Sequence, residues 1–107
     1  MTWRLAFAAG LLALSQCRPA APPPRRHLVE IRQMAFVPEV LTVAPGDTVV
    51  WVNRDFLSHT STSASWDTKP LLEGKTGSTV AGAAGEVSYH CQFHPTMVGR
   101  MIVVQAK

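Results

Sequence analysis

From residue 27 onward the chain is written in short stretches with a period of two. Residues 86–91 place Val87, Tyr89 and Cys91 on one side and Glu86, Ser88 and His90 on the other, as a strand with one buried face requires. Residues 28–32 (LVEIR) alternate in the same way, with Val29 and Ile31 sharing a face. Residues 41–43 run into the turn Ala44-Pro45-Gly46-Asp47. The next stretch, 48–53 (TVVWVN), is dense in β-branched and aromatic side chains that suit a pleated, enclosed surface. A further strand is expected from His59 to about Ser63, and residues 101–105 close the chain as another. No segment holds a helical period over three turns. Short strands punctuated by Gly and Pro turns predict an all-β fold, an antiparallel sandwich or barrel.

The first residues follow a different rule. Residues 1–16 carry one basic side chain, Arg4, and then an apolar run from Leu5 to Leu14. That is an export-signal pattern, too short to span a bilayer as a helix. Leu14-Ser15-Gln16-Cys17 resembles the lipobox of bacterial lipoproteins, in which the Cys is acylated, although Gln16 stands where a small residue is usual. Ordinary signal removal between Ser15 and Ala21 is the alternative. Residues 18–26 (RPAAPPPRR) lack hydrophobic periodicity and read as an extended, semi-rigid tether. The expected organisation is therefore a signal with lipobox over 1–17, a tether over 18–26 and a folded domain over 27–107. The expected location is periplasmic or otherwise extracytoplasmic, with membrane contact only through a lipidated Cys17.

This division changes the meaning of the charge. The whole chain carries +3, but four of its ten basic residues (Arg4, Arg18, Arg25 and Arg26) lie in leader and tether. All seven acidic residues fall from Glu30 onward, which leaves the domain at −1. Such a balance offers nothing to attract nucleic acid.

Cysteine usage is more informative. With Cys17 acylated or removed, Cys91 is a lone thiol in an exported protein, where oxidising conditions favour pairs. A Cys17–Cys91 disulfide or an inert buried thiol is the plain explanation. The neighbours of Cys91 argue for another. YHCQFHPTM carries His94 three residues on and Met97 three beyond that, and His59 begins a separate strand. One thiolate, two imidazoles and a thioether are the donor set of a mononuclear copper site that passes single electrons. Hard cations ignore thioethers, and structural zinc takes Cys and His without Met.

Strand alternation sorts the remaining candidates. His90 and Cys91 must face opposite ways, so His90 is expected at the surface. Pro95 and Gly99 are expected to interrupt any ladder before Met101, which makes Met97 the axial candidate and Met101 a core residue. His27 lies too near the tether to be rigid, which leaves His59 as the second imidazole. Three rivals use the same residues: a copper chaperone or storage module, a zinc site with a catalytic water, and a Cys91–His94 hydrolase. No carboxylate near the ligands shows a base motif; Asp55 and Asp67 are the nearest to His59 in sequence. The hydrolase also lacks an orienting Asn or Asp on its tight loop.

The stretch from Ile31 to Val104 resembles the cupredoxins, particularly their amicyanin- and plastocyanin-like branch. The resemblance is carried by Met34-Ala35-Phe36, Leu41-Thr42-Val43, Pro45-Gly46-Asp47-Thr48-Val49, Trp51-Val52-Asn53-Arg54, His59, and Tyr89-His90-Cys91 through His94-Pro95, Met97 and Gly99. It implies a Greek-key antiparallel β-sandwich of about 7–8 strands with one type 1 copper ion near one end. It also implies His59, Cys91 and His94 as equatorial ligands and Met97 as a weak axial one. Redox proteins are the implied partners, docking on an apolar patch around His94 that Phe56, Leu57 and Val98 extend. A monomeric electron carrier rather than an enzyme is expected. Two departures stand out. Thr60 occupies the place where cupredoxins often carry Asn, and Gly77, Thr79 and Ala81 replace alternating aromatic residues before Gly85. That edge is therefore expected to pack loosely unless side chains from elsewhere fill it.

Overall fold

The computed structural model of the protein describes residues 2, 10 and 22–105. The signal and lipobox over 1–17, Cys17 included, and tether residues 18–21 lie outside the described stretch. Seven strands follow in order: β1 (Arg26–Arg32), β2 (Ala35–Val37), β3 (Val40–Val43), β4 (Thr48–Asn53), β5 (Thr76–Val80), β6 (Gly85–His90) and β7 (Val98–Val103). They form two sheets, β2-β1-β4-β5 and β3-β7-β6, packed as a sandwich. Two pairings, β1 with β4 and β3 with β7, run parallel, so the sandwich is mixed rather than purely antiparallel.

The alternation read from the sequence places the core. Val29, Ile31, Val49 and Trp51 meet Tyr89, Cys91, Met101 and Val103 across the sandwich. Glu86, Ser88 and His90 face solvent from the other side of β6. An aromatic cluster fills the centre: Tyr89 contacts Phe36, Trp51 and Trp66, with ring centroids 4.7, 5.4 and 5.7 Å away. Edge-to-face arrangements of this kind add to what area burial alone contributes.

Three boundaries differ from the sequence reading. First, β1 begins at Arg26, inside the presumed tether, because β4 lies parallel beside it and pairs Arg26 with Thr48. Second, β7 begins at Val98 rather than Met101, and Gly99 sits inside the ladder opposite Tyr89. The glycine does not break the strand; it makes room. A Cβ there would run into the Tyr89 ring. Third, residues 59–63 form isolated bridges (His59 with Leu71, Thr62 with Asp67 and His90) instead of a continuous strand.

The strands fix which end of the sandwich holds the chemistry. β1 and β4 end at Arg32 and Asn53, and β6 ends at His90, all at one pole. The tether enters at the opposite pole. His27 lies there too, with Nε2 2.8 Å from the Asp47 carboxylate. It is held firmly, contrary to expectation, but far along β1 from the other imidazoles.

Candidate metal centre

Three segments converge where β4 and β6 end. Asn53, fully buried at the end of β4, donates through Nδ2 to the carbonyls of Leu57 and Leu71, each at 2.7 Å. Its Oδ1 accepts the Asp55 N–H at 2.8 Å. This one amide shapes the loop that delivers His59, whose backbone also pairs with Leu71 in both directions. On the other side, β6 ends and Cys91 turns inward. His94 N–H donates to the Cys91 carbonyl, Met97 N–H to the His94 carbonyl, and Cys91 N–H to the Met97 carbonyl. These closures coil residues 91–97 into two successive turns over the Cys91 sulfur.

Three of the four side chains expected to act together meet. Donor atoms of His59, Cys91 and His94 all lie within 4.8 Å of one another. The Cys91 Sγ is 3.8 Å from His59 Nδ1 and 3.6 Å from His94 Nδ1. Metal–ligand bonds of roughly 2.0–2.3 Å in a trigonal plane would separate neighbouring donors by about 3.7 Å. The observed separations therefore suit one ion at the centre. Cys91 is a free, fully buried thiol, and His59 is equally enclosed, whereas His94 is half-buried. Met97 is buried and belongs to the same hydrophobic core cluster as Cys91. Met101, at 1% exposure, belongs to the hydrophobic core as expected.

Two supports complete the frame. Thr60, also fully buried, donates its N–H to the Cys91 sulfur at 3.4 Å. Its hydroxyl accepts the Gln92 N–H at 2.9 Å, so the residue standing in for Asn does bind the two ligand loops together. The second support escaped the sequence reading. Asp55, set aside there as lacking a base motif, places Oδ2 2.9 Å from His59 Nε2. Its carboxylate also accepts the N–H groups of Gln33 (2.8 Å) and Met34 (3.0 Å). Burial opposes ionisation of Asp55, but these backbone donors and His59 outweigh it and hold the carboxyl below its ordinary range. Gln33 and Met34 both adopt positive φ (47° and 61°), a left-handed pair that turns both N–H groups toward Asp55. The only hint in the sequence was Asp four residues before His, a spacing too common to mean anything without the fold.

The donor set and its geometry fit copper. A soft thiolate and two imidazoles suit both Cu(I) and Cu(II), and they give a role to a thiol that is buried and unpaired among the described residues. A carboxylate that fixes the outer nitrogen of a ligating histidine is the usual arrangement around a bound metal.

Comparison with known proteins agrees. Residues 4–103 match the family model of the cupredoxin-like domain. Amicyanin of Paracoccus denitrificans is 30% identical over 83 residues, a match covering 71% of this chain and 63% of that protein's length. Among solved structures, an oxidised amicyanin variant superposes with a TM-score of 0.70 at 27% identity, covering 73% of this chain and 81% of that one. The Cu(I) form of another amicyanin variant gives 0.69 at 29% identity, covering 74% and 82%. A copper-containing nitrite reductase from Thermus scotoductus SA-01 also matches, with a TM-score of 0.70 at 26% identity, but the match covers 80% of this chain and 23% of that one. With its sandwich, its clustered sulfur and imidazoles and its family match in agreement, the chain belongs to the cupredoxins, the family of type 1 blue copper proteins.

Proposed function

We propose that the protein is an exported single-electron carrier that cycles one bound copper ion between Cu(II) and Cu(I) while shuttling between redox proteins. His59, Cys91 and His94 are the equatorial ligands in this reading and Met97 is the weak axial one. The observation that carries it is the cluster of donor atoms within 4.8 Å, built on a rigid strand end and largely closed to water.

When bound in such a site, copper supplies reversible one-electron chemistry with little change of geometry. The chain's own residues do the rest. Asp55 holds the His59 ring in one orientation. Thr60 supplies an N–H to the Cys91 sulfur and, through Gln92, fixes the distance between the ligand loops. Among the described residues no carboxylate is left free to act as a base beside the ligands, since Asp55 is engaged by three donors. That favours a carrier over a hydrolase or a zinc enzyme.

Partners are expected to dock where His94 approaches the surface. Phe56 is 84% exposed and Phe93 51%, with Val98 and Leu57 at 46% and 42%. No charged residue occurs among 56–58 or 91–98, so contact there is apolar, small and weakly dependent on salt. Among the described residues no helix is long and apolar enough to cross a membrane. Export and anchoring through Cys17 rest on the pattern of residues 1–17 alone.

The test is to add Cu(II) to the purified protein and to Cys91→Ser, and to record visible and paramagnetic resonance spectra. An intense thiolate-to-copper band that bleaches and recovers on reduction and reoxidation, absent in the variant, supports the proposal. Immediate bleaching with retention of Cu(I) favours copper storage or delivery. A colourless protein that retains zinc in preference to copper overturns both.

A further inference from the structure

The edge of the sandwich between β5 and β6 is built from unusually small residues. Gly77, Thr79 and Ala81 stand at alternate positions facing an aromatic core, where large side chains would ordinarily close the gap. The 61–71 loop fills part of it. Thr68 lies over Gly77 so closely that a Cβ at 77 would stand 2.7 Å from the Thr68 Cβ. Trp66 reaches inward from the same loop and stacks on Trp51 with centroids 5.5 Å apart. The filling stops there. Beyond Trp66 a cleft of about 230 Å³ remains, floored by Ala81, Val87, Met101 and Val103 and open to solvent past Ser65, Val80, Gly82 and Ala83.

We propose that this cleft is a binding site for a single-ring aromatic molecule of phenol size, seated against Trp66 between the two sheets. Size is the first argument. An apolar cavity of roughly 150 Å³ accepts benzene, while sites for drug-sized ligands begin at roughly 300 Å³. The lining is the second. Trp66 offers an indole face for ring contact, and Met101 offers a polarisable thioether from a position 1% exposed. Ala81, Val87 and Val103 make the floor apolar, while Ser65 and Thr79 make the rim polar, a division that suits a ring with one polar substituent. The hydroxyls of exposed Ser65 and half-exposed Thr79 can receive one polar substituent on the ring. The third argument is rigidity. The Trp66 indole N–H donates to Ser61 Oγ at 2.9 Å, so the wall is set before any ligand arrives. None of the lining residues belongs to the metal-donor cluster.

Phenol titrated into the full-length protein, followed by methyl NMR, tests this directly. Saturable shifts confined to Ala81, Val87, Met101 and Val103 are expected. Ala81→Leu fills the space and should weaken binding by roughly tenfold or more while leaving thermal stability equal or higher. Thr79→Leu, at a half-exposed position, makes the same test should Ala81→Leu fail to fold. Shifts that do not saturate or that scatter over the surface overturn the proposal. So does a folded variant that binds phenol as tightly as the original, or equal competition by hexan-1-ol, which lacks a ring.

Discussion

The Asp55 carboxylate grips the outer nitrogen of His59 at 2.9 Å, which leaves Nδ1 of that ring facing the Cys91 sulfur. The grip is itself braced by the Gln33 and Met34 N–H groups from the β1–β2 turn. Replacing Asp55 with Ala frees the ring and strands those donors. Copper affinity should fall by roughly 10- to 100-fold, as losses of such partners do elsewhere. A competition titration against a chelator of known affinity measures it, and unchanged affinity would mean that the loop alone orients His59.

Thr60 makes a separable contribution. Thr60→Val keeps the shape and the N–H to sulfur but deletes the hydroxyl that receives the Gln92 N–H. Losing this part-buried hydrogen bond costs about 0.5–1.5 kcal/mol. Denaturant unfolding should register that loss in Thr60→Val, whereas Thr60→Ser should stay near the parent.

The two methionines should part company. Both side chains are buried in the hydrophobic core cluster, but Met97 also closes the ligand loop through its backbone, whereas Met101 sits within β7. Met97→Leu is expected to shift the reduction potential with little change in melting temperature. Met101→Leu should leave the potential in place and cost less than about 1.5 kcal/mol of stability, as volume-conserving core exchanges do. Voltammetry paired with calorimetry distinguishes them; the opposite pattern would move the axial role to Met101.

Acid should loosen the pole away from the metal centre as Asp47 is protonated. Asp47 accepts hydrogen bonds from the N–H groups of Arg25 and Ala44 and from His27, which together lower its pKa from 3.8 to about 2. A depressed carboxylate pKa means that the folded state prefers the ion. Its stabilisation is complete above pH 3.8 and is lost as pH falls toward 2. Unfolding followed between pH 5 and 2 should show this slope, and Asp47→Asn should flatten it.

Gly99 tests the central packing. It stands opposite Tyr89 in the ladder, with the ring resting where a side chain would begin. Gly99→Ala should destabilise the fold by about 3 kcal/mol through overpacking. A Gly99→Ala, Tyr89→Phe double variant should recover little, because the ring itself and not only its hydroxyl occupies the space.

The candidate ligands were legible in the chain for a simple reason: donor chemistry is a property of side-chain type, and Cys91, His94 and Met97 are neighbours in one short loop. Period-two alternation likewise sent Cys91 inward and His90 outward without any knowledge of the partner strands. Short strands and turns gave a sandwich or barrel, and elimination of His27 and His90 left His59; family resemblance narrowed the first to a sandwich. What local pattern could not supply was anything set by distant pairing. Arg26 joins β1 only because Thr48 lies alongside it, and Gly99 continues β7 only because Tyr89 lies across from it. The Asp55 carboxylate became a clamp on His59 only once the β1–β2 turn had been folded against it. Composition and periodicity act over a few residues, so they chose the donors and the faces. Hydrogen bonds join segments 22 to 32 residues apart, and these, with close packing, decided the supports around the metal centre and the gap left beside Trp66.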